Sequence, residues 1–444
     1  MHKVLMIAYH FPPRPGVGVQ RSAKFAKYLP SFAYEPHIIT VSEDQFNGVC
    51  KLDSGLLAEV AHLRIHRVWS SERFVRTLAH FGLSPLVEFV LRPDKTRLWV
   101  RHAIRAARRI AQQHNIELVY ASLSPWSSVL VGLALKREFG IPLVLDFRDP
   151  WTQSTMTLWP SRIHYWYDRL TERNAISEAD AVVVATPGMA AVMLEAYPWL
   201  RPKLNVIYNG YDSTDVSGDG PSNDESRLTI GYAGTFADWS PHARFRRKLK
   251  ERLGYRICAV DESTYSPLFL LRAVCELLAE RPDLRRLIRL RFAGLFGEAN
   301  QSLVTQLGLA DVVDLRGYLS HMEAVDLLQR SDVLFLGIET ERDRRRSYNV
   351  SGKIFEYLGL HKPILAAVPE GDAADLVRQA RAGWVVDPYD VAGMKALLRH
   401  LIAEKRSHGI GIHPNLSFIR QFDRRRLTAQ LADVFDRVLG TTAP

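Results

Sequence analysis

Cysteine is scarce in this chain: three in 444 residues, at Cys50, Cys258 and Cys275, with no paired spacing. That excludes a disulfide framework or a thiolate zinc site and suits a reducing compartment, so a cytoplasmic location is expected. No apolar run reaches the ~18 residues that a spanning helix needs. The opening MHKVLMIAYHFPP is too short in its apolar stretch for a secretory leader and has no small-residue cleavage site. Acidic residues are outnumbered, 48 Asp and Glu against 58 Lys and Arg, for a net charge of +10. Such a balance favours anionic partners: phosphorylated ligands, an anionic membrane surface or nucleic acid. No zinc finger or RNA-recognition motif accompanies the charge, so nucleic acid is not expected as a partner.

What the chain does have is alternation. KVLMIAY (3–9), EPHIITV (35–41), IELVYAS (116–122), IPLVLDF (141–147) and DAVVVAT (180–186) read as buried parallel strands separated by amphipathic helical stretches. The pattern restarts with RLTIGYAG (227–234), LIRLRFAG (287–294), DVVDLRG (311–317), SDVLFLG (331–337), PILAAV (363–368) and GWVVD (383–387). Two such series predict an α/β protein of two Rossmann-like, doubly wound domains, with a ligand cleft beyond the carboxyl ends of the strands. The expected divisions are a domain at 1–208, a Gly/Ser/Asp-rich linker at 209–227, a second domain at 228–417 and a terminal segment at 418–444. FIRQFDRRRLTAQLADVFDRVL (418–439) reads as one long helix that either caps the second domain or crosses back to the first. The arginines of 97–111 fall on one helical face and its apolar residues on the other, which suits a lipid surface or an ordinary core-facing helix.

Several strand ends carry chemistry. Gly16 and Gly18 follow the first strand and open a helix, where bare amides can approach a phosphate or sugar. A plain strand-to-helix turn and half of a dinucleotide fingerprint fit the same residues. Arg21 stands where that fingerprint needs its third glycine. VLDFRDPW ends a strand with Asp146 and Asp149 around Arg148, which fits a substrate-facing carboxylate, an Asp149 helix N-cap or an internal Asp–Arg pair. Gly234 and Thr235 form a second glycine turn, followed by a strongly basic run. Arg342, Arg344, Arg345 and Arg346 precede VSGKIFEYLG, in which the lone carboxylate Glu356 sits among apolar residues. A charge run of this kind is usually a solvated face.

The segments YHFPPRPGVGVQRSAKFAKYL, PLVLDFRDPW, DAVVVATPGM, VIYNGYD, IGYAGTF, VDLRGYLSHMEAVDLLQRSDVLFL and SGKIFEYLGLHKPILAAVPEGDAADLVRQARAGWVVDP, in this order, resemble glycosyltransferase family 4, of the GT-B fold. The nearest likeness is to the branch that assembles bacterial surface polysaccharides. The resemblance implies transfer of a sugar from a nucleoside-diphosphate sugar, with UDP the expected nucleotide, to a glycan or lipid-linked acceptor, with retention and with neither metal nor cofactor. It implies that Glu356 holds the ribose and that the Val350, Ser351 and Gly352 turn holds the diphosphate, with Lys353 or a nearby arginine assisting. Gly317 and Tyr318 would meet the base, Gly234 and Thr235 would line the donor site, and Gly16, Gly18, Arg148 and Asp149 would serve the transferred sugar or acceptor. Two departures stand out. Tyr348 occupies the position of the family's first glutamate, and residues of about 237–264 read as a basic insertion. The insertion suits a solvated loop, an acceptor lid or a membrane contact. A non-catalytic nucleotide-sugar binder, motivated by Tyr348, and an NAD-dependent oxidoreductase are the alternatives.

Overall fold

The computed structural model describes residues 1–46, 52–215, 226–238, 240, 252, 254–257, 260–343 and 345–441. Most of the predicted basic insertion and the middle of the predicted linker lie outside the described residues. The chain divides into two compact units.

The first unit holds seven strands: β1 (His2–Ile7), β2 (Tyr34–Val41), β3 (Arg64–Val68), β4 (Leu118–Leu123), β5 (Leu143–Phe147), β6 (Ala181–Val184) and β7 (Leu204–Val206). They form one parallel sheet in the order β3-β2-β1-β4-β5-β6-β7. Val4, Met6, Ile38, Leu118, Val144 and Val183 are buried at its centre, as strands covered on both faces require. The edge strand β3, RIHRV, has no apolar run and was not anticipated. It pairs with β2 from His37–Arg64 to Val41–Val68.

The second unit contains β8 (Leu228–Ala233), β9 (Val260–Asp261), β10 (Ile288–Ala293), β11 (Val313–Leu315), β12 (Val333–Gly337), β13 (Thr340–Glu341), β14 (Ile364–Ala367) and β15 (Gly383–Val386). Six of them make a parallel sheet, β11-β10-β8-β12-β14-β15, while β9 and β13 pair antiparallel as a small ribbon. In each unit the strand order reverses beside the first strand, between β1 and β4 and between β8 and β12. Connections diverge at such a switch point and leave a crevice at the strands' carboxyl ends.

The last segment corrects the expectation of one helix over 418–439. Leu416–Arg420 is a short separate helix, and the long one is Arg424–Leu439. The latter belongs to the first unit. Leu427, Leu431, Val434 and Phe435 enter that unit's core, Phe435 meets Tyr34 edge-on at 5.2 Å, and the Tyr34 hydroxyl donates to Asp436. The Val100–His114 helix also resolves an open choice: Val100, Ala103, Ala107 and Ile110 are buried, so its apolar face is core. Part of the predicted insertion joins the first unit too, where Tyr255 and Trp159 exchange two backbone hydrogen bonds of 2.8 Å.

Candidate functional site

Three glycines stand at adjacent strand ends in the second unit: Gly234 after β8, Gly294 after β10 and Gly317 beyond β11, with φ of 145°, 114° and 64°. All three are left-handed conformations that favour glycine. The Gly234 amide donates to the Ala293 carbonyl at 2.9 Å, and the Gly294 amide donates to the Gly317 carbonyl at 2.6 Å. A Cβ on Gly294 would lie 2.1 Å from the Gly234 carbonyl oxygen. The result is a side-chain-free shelf across the carboxyl edge of the sheet.

Lys353 crosses that shelf. It is the second residue of the Gly352–Gly359 helix, which begins after Ser351. A Cβ on Gly234 would lie 2.3 Å from Lys353 Cε and 2.8 Å from Nζ. The ammonium donates to the Tyr265 hydroxyl at 3.2 Å and lies 5.3 Å from the centre of the Tyr232 ring. Tyr232 is itself fixed, its hydroxyl donating to the Thr235 carbonyl at 3.0 Å. A fixed cation thus lies beside a helix N-terminus, whose first amides have no intrahelical acceptor. Burial, with Glu262 and Glu341 nearby, pushes the Glu339 carboxyl above its ordinary range, and the Lys353 charge opposes that rise.

The remaining predicted donor residues fall as follows. Glu356 is half-buried one turn into the same helix, whose Ile354, Phe355, Tyr357 and Leu358 are buried. Burial, with the Glu356 charge alongside, holds the Tyr357 phenol well above its ordinary value. Val350, Ser351 and Gly352 form the half-buried helix entry, and Ser351 makes no side-chain cap. Tyr348 is buried, one residue after the bridge between Ser347 and Gly371. Thr235 and Tyr318 are exposed. Arg345 pairs with Asp343, and Arg346 with Asp375, all near the surface, so these two arginines form the solvated face expected of a charge run. Tyr232, Tyr265 and Glu339 escaped sequence reasoning. The only signal for Tyr265 was its place at the end of the insertion, where the helical pattern resumes.

The first unit uses its glycines differently. Gly18 has no room for a side chain because Arg148 lies on it: an added Cβ would sit 1.5 Å from Nη1. Arg148 donates from Nε to the Leu123 carbonyl at 2.9 Å and from Nη2 to the Ser124 carbonyl. Gly16 has φ of 124° with open space around it, and Asp149 is exposed at the end of β5. Asp146 is not substrate-facing. It is fully buried and takes two hydrogen bonds of 2.8 Å from Arg21, plus one from the Tyr120 hydroxyl. The internal Asp–Arg reading therefore holds, with Arg21 as partner. Arg21 also donates to the Tyr208 carbonyl at 2.8 Å, so the residue at the third-glycine position is a buried tie. His10 was also missed. Burial, with Arg14, Arg148 and Lys95 nearby, keeps its imidazole well below the ordinary histidine range.

Comparisons with known proteins agree with this division. Residues 17–215 match the model of Glycosyltransferase Family 4, and residues 259–404 match that of Glycosyl transferases group 1. A D-inositol 3-phosphate glycosyltransferase of Streptomyces scabiei is 25% identical over 292 residues, which is 62% of this chain and 57% of that relative. The chain thus matches little more than half the length of this curated relative. Among solved structures, a Rickettsia africae glycosyltransferase superposes with a TM-score of 0.62 at 15% identity, covering 99% of both chains. Anabaena HepE in complex with UDP and glucose gives 0.61 at 16% identity, over 98% of this chain and 100% of its own. Two parallel-sheet α/β units, two consecutive family matches and these GT-B neighbours lead to one conclusion: the chain belongs to the glycosyltransferases of family 4 and group 1.

Proposed function

We propose that this glycosyltransferase moves a hexosyl group from a UDP-sugar to a glycan or lipid-linked acceptor, with retention, during surface-polysaccharide assembly at an anionic membrane. The observation that carries the donor reading is Lys353, fixed over the bare face of Gly234 at a helix N-terminus. As the sugar gains oxocarbenium character, negative charge builds on the leaving diphosphate. A preplaced ammonium and unsatisfied helix amides stabilise that charge, so this reading assigns the role to the protein and to no metal or cofactor. Glu356, one turn further along, holds the ribose hydroxyls, and Gly317 and Tyr318 take the base. On the first unit, Asp149 and the Gly16 loop serve the acceptor.

The test is a thermal-shift panel of nucleotide sugars, then turnover of the best binder with EDTA present. Stabilisation by a UDP-sugar and EDTA-resistant UDP release support the reading; stabilisation by NAD alone overturns it. A second reading, a nucleotide-sugar binder without turnover, is motivated by the buried Tyr348 in place of a glutamate. Binding with neither transfer nor slow donor hydrolysis would select it.

A further inference from the structure

In the first unit the Arg162–Glu178 helix buries Tyr165, Ala175 and Ile176, yet departs from the usual amphipathic pattern. Its carboxylates Asp168 and Glu172 are buried: Asp168 accepts from the Trp159 indole at 2.9 Å and pairs with Arg92, and Glu172 accepts from the Tyr197 hydroxyl at 2.9 Å. Ile163, Trp166, Tyr167 and Leu170, spaced i, i+3, i+4 and i+7, face solvent instead, Ile163 at 79% exposure and Trp166 at 62%. That spacing makes one continuous apolar stripe. The neighbouring Ser84–Val90 helix buries Val87 but exposes Leu86, Phe89 and Val90. The two helices touch: the His164 and Phe89 rings are 4.4 Å apart, and His164 Nε2 lies 3.0 Å from the Phe89 carbonyl oxygen. They therefore present one apolar face, larger than the scattered surface residues a soluble protein normally shows.

The charge around this face is one-sided. On the Arg162–Glu178 helix Arg162 and Arg173 are exposed, as is Arg73 on the Glu72–His80 helix that packs against Ser84–Val90, while the exposed carboxylate on these three helices is Glu88. No helix among the described residues is long and apolar enough to cross a membrane. We propose that the Ser84–Val90 and Arg162–Glu178 faces together form a docking surface for an anionic lipid bilayer. Phe89, Ile163 and Trp166 enter the headgroup region, and the arginine rim meets the lipid charge. A second copy of the chain is the poorer occupant, because its equally basic rim would repel this one. The inference deepens the membrane part of the proposed function and names the surface on which it rests.

The experiment is sedimentation of the purified full chain with vesicles of phosphatidylcholine, with and without phosphatidylglycerol. The expected result is binding to the anionic vesicles that weakens at high salt and falls at least tenfold in the Phe89→Glu, Trp166→Glu double variant. Arg162→Glu, Arg173→Glu should lose the preference for phosphatidylglycerol while leaving the apolar stripe intact. Melting temperature and donor turnover in solution should match the parent in both variants, which separates docking from folding. Parent protein that stays in the supernatant, or variants that sediment like the parent, overturns the proposal. So does a lipid-free dimer that the double variant abolishes, since a second copy would then occupy the face. Failure of vesicle binding with donor turnover intact refutes this inference alone, and the converse refutes the donor reading alone.

Discussion

Each sheet ends its first strand in a glycine turn, and in each a cation lies across a glycine with no room for a side chain. The two cations are employed differently. Arg148, over Gly18, is tied to the Leu123 and Ser124 carbonyls, while the Arg21–Asp146 pair locks the same end of the sheet from within. Lys353, over Gly234, makes one hydrogen bond among the described residues, to the Tyr265 hydroxyl, lies against the Tyr232 and Tyr265 rings, and places its charge near Glu339. A guanidinium whose donors are taken by backbone carbonyls is a structural brace. An ammonium held by so little keeps donors for an incoming anion. The same fold device is closed by backbone carbonyls in one unit and left with spare donors in the other, and the proposed function rests on that difference.

The contrast can be broken in four places. The largest effect is expected from Arg21→Met, which leaves the Asp146 carboxylate buried without its partner. Loss of one member of a buried pair costs about 3–5 kcal/mol, and denaturant unfolding should show that loss in the first unit with UDP-sugar affinity unchanged. Next is Lys353→Ala, expected to lower kcat by ~10²–10³, as for loss of one preorganised donor at a developing charge. A rate within threefold or so of the parent would show that the lysine does not meet the leaving group.

The glycines make a matched pair. Gly234→Ala pushes Lys353 aside and should reduce kcat up to ~100-fold, since small displacements of positioned groups carry penalties of that order. Gly18→Ala displaces Arg148 and should instead destabilise, by about 1–3 kcal/mol from overpacking. Equal effects of both on turnover would erase the distinction between brace and site.

The smallest effect is in pH. Burial, with His114 and other charges nearby, pushes His37 down to about 4. Its neutral form is favoured by the fold, so its stability contribution is present above the ordinary histidine value of 6.5 and lost as pH falls toward 4. Glu339 has the opposite sign. Its folded pKa is raised above 4.5, so its contribution is full below that value and lost as pH rises through the folded pKa. Melting curves across that range should flatten on the acid side in His37→Phe and on the side above 4.5 in Glu339→Gln. Unaltered profiles in both would mean that neither burial is energetically felt.

How much of this was legible depended on range. Five of the seven strands of the first sheet, the six of the second and the glycine turn before Glu356 carry local signals, a buried apolar run and a Ser-Gly helix start. Arg21 and Asp146 are 125 residues apart, and no local period connects a basic residue at a missing glycine with a carboxylate at a distant strand end. The edge strand β3 escaped because Arg64, His66 and Arg67 occupy it, and edge strands keep such residues to discourage pairing. Tyr265 escaped because its partner Lys353 lies 88 residues on, beyond two strand–helix repeats. The break between Leu416–Arg420 and Arg424–Leu439 has no proline or glycine to mark it. It falls at the bridge between Tyr211 and Asp423, a pairing set by tertiary structure.

The Tyr34–Asp436 hydrogen bond spans 402 residues. During synthesis the strands of the first unit emerge before the second unit, yet the helix whose Phe435 packs on Tyr34 and Tyr120 emerges only after it. The first unit therefore waits on the ribosome with an uncovered apolar surface while its younger neighbour becomes free to fold. Cells that truncate this protein near its end should accumulate a chain whose second half is sound and whose first half is aggregation-prone.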